Sequence, residues 1–293
     1  MGWKTVTTLA LVAATMANPE FAPPAMAQTS EAIEAARRVN ISGRQRMLSQ
    51  RISKAACFMQ HSDVAEKFHG ELSDSVELFE TSLQALQNGN STLGLGPEKS
   101  ADVRASLAQV TRSWVNYSQY LDVPLKTGTT PTAFLADIDK TGLKVLADMN
   151  RTVNKTARYY GDLLPDMPLL LSLTIDLAGR QRMLTQKAAK EFCLIDSGLD
   201  VEENRARLAE TVQIFTTTLG ALQNGMAGMV MAAPNEKIRD KLRQVEQAWA
   251  GPKAALEVAA TGGTLGAGER AEVMEAMEQV LILMNGAVGM YEL

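Results

Sequence analysis

The chain of 293 residues is 46% apolar and 21% charged, with 5% aromatic residues and a formal charge of −4. That is enough apolar material for one large or two ordinary domains with real cores, and it argues against wholesale disorder. The acidic balance argues against general nucleic-acid binding, and two histidines with two cysteines leave little for a zinc module or a disulfide scaffold.

The first segment reads as an address. Met1 to Lys4 is a short positive start, and Val6 to Ala17 is an apolar run too short to span a bilayer. Pro23, Pro24 and Ala25-Met26-Ala27 then supply a helix stop and a cleavage site. Residues 1–27 are therefore expected to be a Sec-type signal peptide cut after Ala27, with no following cysteine for a lipid anchor. No later stretch reaches spanning length; the most apolar, Leu169 to Leu173, is bracketed by Asp166 and Asp176. The mature protein is expected to be soluble and periplasmic.

The mature chain is a duplication. Gly43-Arg44-Gln45-Arg46-Met47-Leu48-Ser49-Gln50 recurs as Gly179-Arg180-Gln181-Arg182-Met183-Leu184-Thr185-Gln186, an offset of 136. The same offset maps Cys57 onto Cys193 and Ala85-Leu86-Gln87-Asn88-Gly89 onto Ala221-Leu222-Gln223-Asn224-Gly225. Beyond that loop the register drops by one: Val110 and Trp114 match Val245 and Trp249, and Met149-Asn150 matches Met284-Asn285. The reading is copy one at 28–162 and copy two at 163–293.

Each copy reads as four helices. In copy one they run over 30–61, 64–88, 101–121 and 132–160, broken by Asn88-Gly89-Asn90, Gly94 to Pro97, and Asp122 to Gly128. Spacings such as Leu78, Leu83, Leu86 or Leu143, Leu146, Met149, Val153 are helical, without strand-like alternation. The fold class is all-α: two tandem up-down four-helix bundles. The short linker Gly161 to Pro168 should set the first helix of copy two beside and parallel to that of copy one. The chain then resembles a fused pseudo-twofold dimer, paired through its first helices.

On a helical wheel Ser42, Arg46, Ser49, Gln50, Ser53 and Cys57 share one stripe, with Leu48, Ile52, Ala55 and Met59 roughly opposite. Copy two repeats the stripe as Ala178, Arg182, Thr185, Gln186, Ala189 and Cys193. Gly43 and Gly179 let another helix approach, so Arg46 and Arg182 should meet across the pseudo-twofold axis. Two guanidiniums in contact repel by about 4 kcal/mol at an effective dielectric near 20. A small oxyanion between them converts repulsion into bidentate, charge-assisted hydrogen bonds. Nitrate and nitrite match the axis because each has a twofold axis of its own; sulfate or a carboxylate stays open on this argument. The supporting residues are Gly43, Gly179, Met47, Met183, Ser49, Thr185, Gln50 and Gln186.

These residues resemble a known family. Gly-x-x-Arg-Met-x-Ser/Thr on a first helix is similar to the periplasmic motif of nitrate/nitrite sensor kinases. The fuller Gly-Arg-Gln-Arg-Met-Leu-Ser-Gln-Arg string of Gly43 to Arg51 resembles the N-terminal domain of type IV pilus methyl-accepting chemotaxis transducers. The resemblance implies four-helix sensors that pair through their first helices and bind nitrate with the arginine before the methionine, here Arg46 and Arg182. Such sensors carry membrane helices and a kinase or methyl-accepting module. Neither is read here, so the expected partner is a separate membrane sensor kinase, chemoreceptor or transporter. Copy two also has Lys187 in place of Arg51.

The remaining signals have plainer readings. Arg44 and Arg180 lie about 160° from the arginine stripe and suit surface or interhelical salt bridges. His61 and His69 lack metal-ligand spacing, so neither a metal nor a cofactor is expected. Met226, Met231, Met274, Met277 and Met284 read as helix core, and Trp114 and Trp249 as core anchors. No catalytic triad, paired carboxylates or phosphate loop is readable, so the chain is not expected to be an enzyme. Cys57 and Cys193 each lie eleven residues beyond the arginine, about 16 Å along the same stripe. A disulfide between them and a pair of buried free thiols are both compatible with that placement. The leading expectation is a binding or sensing module for nitrate or nitrite. Its rival is a helical scaffold of an envelope complex, with the arginines turned to a partner's carboxylates.

Overall fold

A computed structural model describes residues 30–61, 64–163 and 169–291, so the signal peptide expected at 1–27 lies outside the described residues. The described residues are all-α, with two isolated β-bridges and no strand. The helices are α1 (Ser30–Phe58), α2 (Ala65–Asn88), α3 (Ala101–Ser118), α4 (Asp122–Thr127), α5 (Thr132–Leu163), α6 (Leu169–Asp196), α7 (Val201–Asn224), α8 (Glu236–Ala260) and α9 (Ala267–Met290). The proposed boundary at 162/163 falls in the last turn of α5.

In the first half α1 packs on α2 and α5, and α3 packs on α5; in the second, α6 packs on α7 and α9, and α8 on α7 and α9. Among the described helices the broadest contact is α1 against α6. Their contacts are reciprocal. Arg46 meets Asp176 and Arg182 meets Asn40, while Cys57 meets Cys193. The separations are 130 and 142 for the two arginine contacts, which centre on the 136 of the disulfide, so the helices run parallel and in register.

The repeat extends to caps and core. Ser100 accepts from the Val103 amide to start α3, and Asn235 accepts from the Ile238 amide to start α8. Trp114 stacks on Phe79 at 4.1 Å, and Trp249 packs at a tilt against Phe215 at 4.2 Å. Their indole N–H groups donate to Glu80 and Thr216, again equivalent positions. The residue lost in copy two is located by the bridges: Asn90 pairs with Leu95, but Met226 pairs with Val230. The deletion therefore lies inside the turn after Gly89 or Gly225. Both glycines hold positive φ (82° and 80°), a conformation that side chains rarely adopt.

Two expectations change in detail, the length of the third helix of copy one and the burial of Met226. The third helix of copy one stops at Ser118, and a separate α4 follows through i→i+3 bonds at Tyr120 and Leu121. Pro124 has no N–H to donate to the Tyr120 carbonyl, which weakens a continuous helix there. In copy two α8 runs on to Ala260, through Pro252. Met226, read as core, lies in the turn and is 42% exposed, and Leu78 is 38% exposed at the edge of a groove. Met277 and Met284 are buried as read.

Candidate functional site

The pairing of α1 with α6 buries polar side chains that sit on one stripe of each helix. Ser42, Arg46, Ser49, Gln50, Ser53 and Cys57 are all buried, and so are Ala178, Arg182, Thr185, Gln186, Ala189 and Cys193. The opposite face of α1, with Leu48, Ile52, Ala55 and Met59, enters the core of its own half. Gln45 and Gln181 anchor that face by donating to the carbonyls of Phe79 and Phe215.

Arg46 is 0% exposed and Arg182 is 3% exposed. Their guanidiniums converge beside the two glycines. A Cβ on Gly43 would meet Nη2 of Arg46 at 3.4 Å and of Arg182 at 3.5 Å; one on Gly179 would meet the same atoms at 3.6 and 3.3 Å. The space a side chain would fill is left to the two arginine ends. Each arginine also reaches the last helix of its own half. Arg46 Nη1 lies 3.5 Å from Asn150 Oδ1, and Arg182 Nη1 lies 3.5 Å from Asn285 Oδ1.

The symmetry fails at one place. Arg182 Nη2 donates to Asn40 Oδ1 at 2.5 Å, whereas Arg46 Nη2 faces the equivalent Asp176, 2.6 Å from Oδ1. Arg46 also donates to the Asp176 carbonyl at 3.2 Å. Asp176 Oδ1 nonetheless accepts no well-directed hydrogen bond, and Arg46 Nε is buried without a partner. Burial pushes the Arg46 guanidinium below its ordinary pKa, Asp176 pulls it back up, and Arg180 lowers it further. Asn40, Asn150, Asn285 and Asp176 were not named as site residues from the sequence. The signal was present: at the repeat offsets Asn40 aligns with Asp176, and Asn150 with Asn285.

The other named residues fall around this pair. Ser49 and Thr185 donate to the carbonyls of Arg46 and Arg182, each at 2.8 Å, which turns their protons away from the guanidiniums. Gln50 and Gln186 donate weakly to those hydroxyls and keep buried carbonyl oxygens without partners. Met47 and Met183 are 5% exposed. Met47, Arg44, Arg51 and Leu78 line a surface groove of about 490 Å³ that reaches Arg182 and Asn285. Arg44 donates to Ser82, and Arg180 pairs with Asp176 within its own helix at 3.6 Å. Arg51 pairs with Glu71 and Glu278, while Lys187 pairs with Glu191.

Below the arginines, Cys57 and Cys193 are fully buried and joined as a disulfide, with their Cα atoms 6.2 Å apart. Buried lysines flank that region. Lys54 pairs with Glu71 and Glu278, and the equivalent Lys190 pairs with Asp139, so each crosses to the last long helix of the other half.

The family profile of the type IV pili methyl-accepting chemotaxis transducer N-terminal domain (PilJ) matches residues 27–137 and again 171–273. The chain belongs to this family. The two matches fall on the two repeats, so the PilJ-type domain occurs twice here, as a tandem helical sensing domain. No individually curated protein matches the chain. No described helix is long and apolar enough to cross a membrane. Among the described residues of this PilJ-type chain, no group of three His, Cys, Asp or Glu is arranged to hold a metal. His69 is engaged with the Leu125 carbonyl at 2.8 Å, and His61 lies 3.8 Å from Asp196.

Proposed function

We propose that the chain is a periplasmic sensing module for a small planar oxyanion, nitrate or nitrite, held between Arg46 and Arg182. The observation that carries this reading is the convergence of both Nη2 atoms on the Gly43–Gly179 pair at the α1–α6 contact. The buried, partnerless Arg46 Nε adds a donor that a bound oxygen would satisfy. An anion there would touch both halves at once, so occupancy would alter how the two bundles pack. A kinase, chemoreceptor or transporter in the membrane would read that change. The signal peptide at 1–27 and the domain division near 162 belong to the same proposal.

A thermal-shift titration with nitrate, nitrite, sulfate and chloride tests it. A ligand at a hundredfold excess over its dissociation constant stabilises the folded state by about 2.7 kcal/mol. Arg46→Ala and Arg182→Ala should each abolish the shift, and Arg44→Ala should keep it. Two independent sites per chain, or full binding by either single variant, refutes the paired-arginine site. The absence of any shift in the parent protein favours the scaffold reading.

A further inference from the structure

We propose that the groove between α8 and α9 is a second binding site, one that takes a small aromatic amine. The inference does not rest on the paired-arginine site. The groove encloses about 500 Å³, within the span of about 300–1,000 Å³ usual for small-molecule sites. Its walls are Pro252, Ala255, Val258, Leu265 and Val273, and Glu269 and Glu272 stand among them.

Copy one shows which shape is missing. At the repeat register Tyr117, Tyr120, Phe134 and Gly142 correspond to Pro252, Ala255, Glu269 and Met277. Tyr117 is fully buried, and its hydroxyl lies 2.6 Å from Ser53 Oγ. Gly142 makes room for that ring, which a Cβ there would meet at 3.3 Å. Copy two exchanges large for small at both places, with Met277 and Pro252 buried, so this inner volume is kept. The outer pair shrinks instead. Tyr120 and Phe134 meet edge-on at 6.2 Å and pack against the core between the end of α3 and the start of α5. In copy two a methyl group replaces one ring. The Glu269 carboxylate that replaces the other accepts from the Gly266 amide at 2.7 Å. The groove lies at these positions, so an aromatic ring is the group its walls lack.

Charge supplies the rest. Among the described residues that line the groove none is basic, while Glu269 and Glu272 are both exposed carboxylates. Lys253, beside Pro252 in the chain, pairs with Glu257 at 2.8 Å and borders the groove against α7. A ring carrying a protonated amine would lay its apolar part on Ala255 and Val273 and its charge beside the carboxylates. An aromatic carboxylate would meet repulsion there. Helix α9 also carries Glu278, which pairs with Arg51 and Lys54 of the first half, so the groove shares a helix with the contact between the halves.

Calorimetry with phenethylamine on the full chain tests this, with ethylamine as the probe without a ring and phenylacetate as the probe of opposite charge. Phenethylamine should bind the parent about tenfold more tightly than phenylacetate, and ethylamine should not register. Ala255→Tyr, which restores the ring found in copy one, should abolish binding. Glu272→Gln should weaken phenethylamine about threefold and strengthen phenylacetate. Circular dichroism checks that both variants fold, and Glu272→Gln, at an exposed position, stays decisive if Ala255→Tyr does not. Phenylacetate binding as tightly as phenethylamine, full phenethylamine binding by Ala255→Tyr, or an unchanged preference in Glu272→Gln overturns the assignment. So does a parent that binds none of the probes. A parent that is dimeric while Ala255→Tyr is monomeric puts a second copy in the groove and overturns it as well.

Discussion

Arg38→Thr should cost about 3–5 kcal/mol of folding free energy, whereas Arg38→Thr combined with Glu98→Ala should recover most of that loss. Arg38 is 1% exposed and closes the loop after α2. It donates to the carbonyls of Leu86 at 3.0 Å and Gly96 at 2.6 Å, and it pairs with Glu98 at 3.1 Å and Glu34 at 2.9 Å. Glu98 in turn accepts from the Ser100 amide and the Tyr160 hydroxyl. Removing the arginine alone leaves a carboxylate buried without its countercharge.

Copy two shows that the fold does not need the pair. Thr174 stands where Arg38 would be, and its hydroxyl takes the Met231 amide at 3.1 Å; Ala233, also buried, stands in place of Glu98. A neutral counterpart of this contact, beside a turn one residue shorter, therefore exists in the same molecule. Replacing both members of a buried pair is often near neutral, while removing one is not. Urea unfolding of the two singles and the double gives the coupling energy directly. A single variant within about 1 kcal/mol of the parent, or costs that simply add, would sink the argument.

Breaking the disulfide is the second large effect. Cys57 and Cys193 are separated by 136 residues, so the bond closes a long loop in the unfolded chain. Native disulfides of this kind contribute about 2–4 kcal/mol, and Cys57→Ala/Cys193→Ala should lose that amount. The reduced parent protein should lose the same, which separates the crosslink from the cavity that two alanines leave. The arginines lie eleven residues away, about 16 Å up the helices, and Lys54 and Lys190 still tie the halves together. Nitrate shifts measured on the double variant should therefore persist. An unfolding free energy unchanged on reduction would refute a stabilising role for the bond.

The repeat itself, the all-helical class and the membership of the sensing family were legible in the chain, because they rest on local quantities. Helical spacing, glycine breaks and a near-identical octapeptide at a fixed offset need no knowledge of what packs where. The stripe on α1 was equally local: the wheel that grouped Arg46 with Ser49, Gln50 and Cys57 follows from the helical repeat alone. What the chain could not reveal was which residue each arginine meets. A long side chain on a helix leans toward the N-terminus, so Arg46 reaches the level of residue 40 rather than its own, about 9 Å back along the partner helix. The residue waiting at that level is Asp176 on one side and Asn40 on the other. That pairing depends on how far apart α1 and α6 lie and how they cross, quantities set by Gly43, Gly179 and the cores of both halves together. The repeat and its arginines were therefore properties of the sequence, but the residue that each arginine meets across α1 and α6 was decided only when two helices from different halves came into contact.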